Sequence, residues 1–228
     1  MNDSKKIIGN NIKLIGFYAE SDRYFELSNF GGKGNYVNKY GDPGEYSEIT
    51  YQASKLSYIR DNSIGRQLKQ QYFNEVETPE QAFTFMRKLL PQLNYRSVND
   101  VIKENNWDTP DKSGVSNKDL EMAYCLISKF DPGNAAMRYI QLLNIVSDSN
   151  IVLVEKSPND SYWGYAMDAQ QNLGKNRLGL LLTALAQVLN QTLAVRLSES
   201  DKMKMVLDQY QLFINQFAGF DFQVSRKI

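Results

Sequence analysis

Asn159-Asp160-Ser161-Tyr162-Trp163-Gly164 is followed ten residues later by Gly174-Lys175-Asn176-Arg177-Leu178-Gly179. This stretch joins an acid, amides, an indole face and a basic turn bracketed by glycines. An ordinary core segment has no use for that mixture, whereas a flat base, a ribose and a phosphate each find a partner in it. Its flanks fix its place in the fold. Ile151-Val152-Leu153-Val154 is short, apolar and β-branched, which predicts a strand, and Asn176 to about Leu193 is leucine-rich and predicts a long helix.

Working outward, the pattern is mostly helical. Ile12 to Tyr18 reads as a first strand, and Gly31, Gly32, Gly34, Gly41, Pro43 and Gly44 mark a hairpin or loop. A helix follows from Ser47, with Ile49, Ala53, Leu56 and Ile59 on one stripe. Thr78-Pro79-Glu80-Gln81 carries a cap hydroxyl, a proline at the first helical position and a capping-box amide, and Pro91 is expected to close that helix. Ser116 opens a helix to about Phe130, and Asp131-Pro132-Gly133-Asn134 turns into another ending near Ile145. Ser198-Glu199-Ser200-Asp201 caps a last helix with Met203, Val206, Leu207, Tyr210, Phe213, Ile214 and Phe217 on one stripe, stopped by Gly219. That helix is expected to dock on its own domain; a homodimer or partner contact is the alternative. The class is α+β, predominantly α-helical, with a few short strands. A domain is expected over residues 1–195 and a helical extension over 196–228.

At 228 residues and 42% apolar, the chain can bury one substantial core. Twenty-six basic residues balance twenty-six acidic ones, so no net field draws it to duplex nucleic acid or an anionic membrane. No stretch is long enough for a membrane span, and Met1 to Gly9 has no apolar run suited to a signal peptide, so a cytoplasmic protein is expected. With no histidine and the single Cys125 in an apolar run, neither a disulfide nor an ordinary zinc site is expected, and no cofactor is implied. Chemistry here must run on carboxylates, lysine, amides and tyrosine.

Glu48, Gln52 and Lys55 fall at i, i+4 and i+7, so they share a helix face beside the apolar one. Periodicity alone favours a solvated face. Position favours function: Glu48 stands in the first turn, where the helix dipole supports a carboxylate, and the long stem of Lys55 brings its ammonium toward the same place. Trp163 by itself reads as a core anchor, but Asn159, Asp160 and Gly164 around it favour stacking on a ligand. The amides of Gly174 to Arg177, at a helix start, read as an anion cradle. Ser28, Asn29 and Phe30 offer polar groups beside aromatics, or equally a strand end packed on the core.

Taken in order, these segments resemble the NADAR superfamily, also called YbiA-like. The resemblance rests on Phe17-Tyr18, Leu27-Ser28-Asn29-Phe30, Ser47-Glu48, Tyr51-Gln52-Ala53, Lys55, Lys129-Phe130, Leu153-Val154-Glu155, Asn159-Asp160, Tyr162-Trp163-Gly164, Gly174 and Asn176-Arg177-Leu178-Gly179. It runs from about residue 17 to about residue 187, with residues 60–115 matching poorly and the last helix an addition. Ile49 stands where the family often has histidine, and Tyr165-Ala166-Met167-Asp168 replaces a usual second glycine.

The resemblance implies cleavage of an N-glycosidic bond at a ribose. The substrate would be a phosphoribosylated aminopyrimidine of early riboflavin synthesis, or ADP-ribose on guanine, including ADP-ribosylated nucleic acid. Glu48 and Asp160 would flank the sugar, one activating water or polarising a ribose hydroxyl and the other opposing positive charge. Lys55 would form a transient imine or hold Glu48; the sequence leaves both open. Trp163 would stack on the base, Asn29 and Gln52 would bind ribose hydroxyls, and Asn176 and Arg177 would address phosphate. The alternative is a sensor that binds ADP-ribose or NAD without cleaving it. A local basic patch of Lys33, Lys39, Lys175 and Arg177 is expected to offset the neutral net charge toward nucleic acid.

Overall fold

A computed structural model describes residues 12–59, 62–92, 107–166 and 172–222. Met1 to Gly9 and the altered pair Met167-Asp168 therefore lie outside the described residues. In chain order the elements are β1 (Lys13–Phe17), a 3-10 turn (Phe25–Leu27), β2 (Tyr36–Val37), β3 (Pro43–Gly44), α1 (Ser47–Leu56), α2 (Asn62–Glu75), α3 (Pro79–Gln92), α4 (Asn117–Lys129), α5 (Pro132–Ile145), β4 (Ile151–Glu155), α6 (Arg177–Gln191) and α7 (Glu199–Gln216). The fold is α+β and mostly helical, as the sequence predicts.

The chain divides into two compact units, Asn29–Ala136 on one side and Met1–Ser28 with Met137–Ile228 on the other. The second boundary falls beside Ala135, where α5 leaves helical backbone. In the Asn29–Ala136 unit, α1, α2 and α3 bury Ile49, Ala53, Leu56, Leu68, Tyr72, Phe85 and Met86 as one core. Tyr72 is fully buried there; its hydroxyl donates to the Ile49 carbonyl at 2.9 Å and its ring meets Phe85 edge-on. The helix α2 was not expected, because Gly65 and many polar positions dilute its apolar pattern and leave Leu68, Tyr72 and Val76 as its signal. Ser116 caps α4 in a capping box with Asp119.

In the other unit β1 and β4 pair in parallel, with Lys13 opposite Ile151 and Phe17 opposite Glu155. Every residue of β4 is buried, as expected of a strand covered on both faces. Much of that cover comes from α6, whose Leu180, Leu181, Leu182 and Leu185 are buried. The backbone N–H of Leu153 donates to Thr183 Oγ1 at 3.0 Å, tying helix to strand. The last helix, α7, packs on α6 and buries Met203, Val206, Tyr210 and Phe213, each apolar side chain contributing about 1.5–3 kcal/mol. The apolar stripe is thus spent within the chain, and a dimer through α7 would have to use another face.

Candidate active site

The candidate residues fall into two groups, one in each unit. In the Asn29–Ala136 unit the polar face of α1 is not solvated. Glu48 is 6% exposed and Gln52 2%, so the expectation that periodicity favours is overturned. The cause is local. Asn29 is buried beside the start of α1, its carbonyl accepts from the Glu48 N–H at 3.2 Å, and its side-chain oxygen accepts from the Ser47 hydroxyl at 3.2 Å. Asn29 thus supplies a first-turn acceptor that the N-cap residue Tyr46 does not. The next loop residue but one, Gly31, accepts from the fully buried Lys129 ammonium at 2.9 Å. Loop 29–31 is thereby tied both to the start of α1 and to α4.

Gln52 Nε2 donates to Glu48 Oε1 at 2.5 Å, as the i, i+4 spacing predicts. Gln52 Oε1 is buried and has no hydrogen-bond partner among the described residues. A buried acceptor left in that state costs about 1–3 kcal/mol. The Lys55 ammonium stands 4.8 Å from the Tyr51 ring centre and 6.0 Å from that of Trp107, within cation–π reach of both. Phe30 is half-buried, and Ile49 turns its side chain into the core.

Of the residues given no site role in the sequence, Trp107 and Lys129 carry a readable signal, Lys129 already through the Lys129-Phe130 pair that supports the resemblance. Trp107 is one of two tryptophans, and Lys129 falls on the same helical stripe as Met122, Cys125 and Leu126, where a charge is out of place.

In the other unit, Ser28 and Gly164 are buried, Asn159 is exposed, and Asp160, Trp163 and Arg177 are half-buried. Asp160 Oδ1 accepts from the N–H groups of Tyr162 and Trp163, each at 2.8 Å, and so shapes the loop that presents the indole. Tyr162 packs edge-on against Trp163 at 5.0 Å. Gly164 serves backbone packing: a Cβ there would lie 2.9 Å from the Asp160 carbonyl.

Two expectations about the basic turn need correction. Its amides are not an anion cradle, because the N–H groups of Lys175, Asn176, Arg177 and Leu178 donate to the carbonyls of Ser161, Gly164, Tyr162 and Trp163 at 2.8–3.1 Å. Asn176 is fully buried, and its side chain accepts from Glu155 N–H and donates to the Leu153 carbonyl, both at 2.9 Å. Its amide braces β4 and is closed off from solvent. The side chains of Lys175 and Arg177 carry the positive character of this turn. The expected basic patch is also smaller than its four members suggest, since Lys33 pairs with Glu45 at 2.7 Å and Lys39 with the buried Glu121.

A family model for the NADAR domain matches residues 16–190. The chain belongs to the NADAR family. Its span agrees with the resemblance read from about residue 17 to about 187, and it leaves α7 outside the matched segment. N-glycosidase YbiA of Escherichia coli (strain K12) is 30% identical over 178 residues, covering 77% of this chain and 88% of that protein. N-glycosidase YbiA of Shigella flexneri serotype 5b (strain 8401) is 29% identical with the same coverage. The NMR structure of the E. coli protein YbiA aligns with a TM-score of 0.50 at 26% identity, covering 86% of this NADAR chain and 96% of that one. Similarity to named N-glycosidases supports a hydrolase acting on N-glycosyl bonds. Among the described residues, no helix is long and apolar enough to cross a membrane.

Proposed function

We propose that this NADAR protein hydrolyses the bond between a base and C1 of a phosphorylated ribose. The supporting observation is the buried pair at the start of α1. Glu48 is withdrawn from water with Gln52 donating to it, and Gln52 presents a buried acceptor suited to a ribose hydroxyl. Breaking a ribosyl C–N bond leaves C1 electron-poor, so carboxylates beside the sugar lower the barrier by opposing that charge.

In this reading Glu48 takes a proton from the attacking water or polarises a ribose hydroxyl. Asp160, anchored through Oδ1 by two backbone N–H groups, opposes positive charge at C1. Water adds to C1, the C–N pair leaves with the base, and the proton from water ends on the base. Trp163, half-buried beside Tyr162, stacks on that base. Arg177 meets the phosphate. Asn29 and Asn176 act by shape, the first seating Glu48 and the second bracing the basic turn. Lys55, beside Tyr51 and Trp107, acts as a cation near the site or, as the neutral amine, displaces the base from C1, after which ring opening gives an imine that water hydrolyses.

The test offers a phosphoribosyl aminopyrimidine and a guanine-ADP-ribosylated oligonucleotide, and follows release of sugar phosphate or ADP-ribose. Turnover of one is expected, with Glu48→Gln and Lys55→Ala each slowing kcat by about 10²–10⁴-fold without loss of fold. Near-normal rates in both variants would remove α1 from the mechanism. Tight ADP-ribose binding with no product over long incubation would favour the sensor. Borohydride during turnover separates the roles of Lys55, since a stable sugar adduct forms by the imine route alone.

A further inference from the structure

The helix α7 lies beyond the span that matches the family, yet it reaches the basic turn. Tyr210, near its middle, is fully buried, and its hydroxyl accepts from Arg177 Nη1 at 3.3 Å. The guanidinium carbon stands 5.8 Å from the Tyr210 ring centre and 5.7 Å from that of Tyr162. The Lys175 ammonium stands 5.4 Å from the same Tyr162 ring. Aromatic faces therefore stand beside both cations and help to fix their positions.

Backbone amides at this turn are consumed by the carbonyls of residues 161–164, so an anion here must be met by side chains. Arginine is flexible, and holding it in one orientation before a ligand arrives removes an ordering cost from binding. The packing of α7 on α6 makes that orientation rigid. Met203, Val206 and Phe213 seat the helix, and Gln209 Nε2 donates to Gln187 Oε1 at 3.2 Å.

We infer that Tyr210 is a positioning residue that holds Arg177 for the phosphate of the substrate, making α7 part of substrate selection. This rests on the reading of Arg177 as the phosphate contact in the proposed reaction. It makes a phosphorylated ribose, rather than a free nucleoside, the substrate class.

Tyr210→Phe keeps the ring and removes the acceptor. The full-length chain is measured for ribose 5-phosphate affinity by calorimetry, and for kcat and KM with a phosphoribosyl N-glycoside and its dephosphorylated counterpart. We expect KM for the phosphorylated substrate and Kd for ribose 5-phosphate to rise about tenfold together. With that substrate kcat should stay within about twofold, and the dephosphorylated compound should be handled as by the wild type. In an Arg177→Ala background the Tyr210→Phe change should add nothing to the loss, which separates positioning from general destabilisation. Unchanged affinity, equal weakening for both substrates, additivity with Arg177→Ala, or no ribose 5-phosphate binding by the wild type would each overturn the inference. If the wild type cleaves neither substrate but binds ribose 5-phosphate with this Tyr210 dependence, the N-glycosidase reading falls and the positioning role stands.

Discussion

At the scale of single residues, burial decides which groups are chemical and which are structural. Cys125 is fully buried in α4, and desolvation pushes its thiol up to about 12 from an ordinary value of 9.0. The neutral thiol is favoured in the folded state, so its contribution to stability is whole below about pH 9 and is lost as pH rises toward 12. Denaturant midpoints measured from pH 8 to pH 11 should fall, and Cys125→Ala should flatten that fall. At pH 8 iodoacetamide should label Cys125 no faster than the chain unfolds. The contact between Glu48 and Gln52 was legible from their i, i+4 spacing, and so was the burial of Cys125. What was not legible was where the amides of Asn29 and Asn176 point. An asparagine bonds equally well to a ligand or to a neighbouring carbonyl, and its choice depends on segments remote in the chain.

Among the elements, α6 against β4 shows how close packing sets residue choice. A Cβ on Gly179 would lie 2.2 Å from the Leu153 carbonyl and 2.4 Å from Asn176 Oδ1. Both are held in place, the second by its hydrogen bond to Glu155 N–H. Gly179→Ala should therefore destabilise the chain by about 2–4 kcal/mol, read as a lower urea midpoint with an unchanged slope. Boundaries of the strongly patterned helices were visible in their caps: α3 starts after Thr78, α4 after Ser116 and α7 after Ser198. The turn before α6 reads in the sequence as a set of open N–H groups. They are filled by a loop whose path is set by Asp160, and no local pattern reveals that pairing.

For the molecule as a whole, charge is balanced, and a few surface charges are locally paired. Net formal charge is zero, and Lys33, Lys69 and Lys118 sit within 2.7 Å of carboxylates. If an ADP-ribosylated oligonucleotide is the substrate, binding should depend weakly on salt. The slope of log KM against log salt should correspond to release of about one or two counterions, from Lys175 and Arg177. A steeper slope would mean that more of the surface grips the nucleic acid. The parallel pairing of β1 with β4 also bears on biosynthesis. Lys13 emerges from the ribosome 138 residues ahead of its partner Ile151, with the whole Asn29–Ala136 unit translated in between. That inserted unit can complete its core on the nascent chain while the first strand waits unpaired, a stretch of exposed edge for a chaperone to shield.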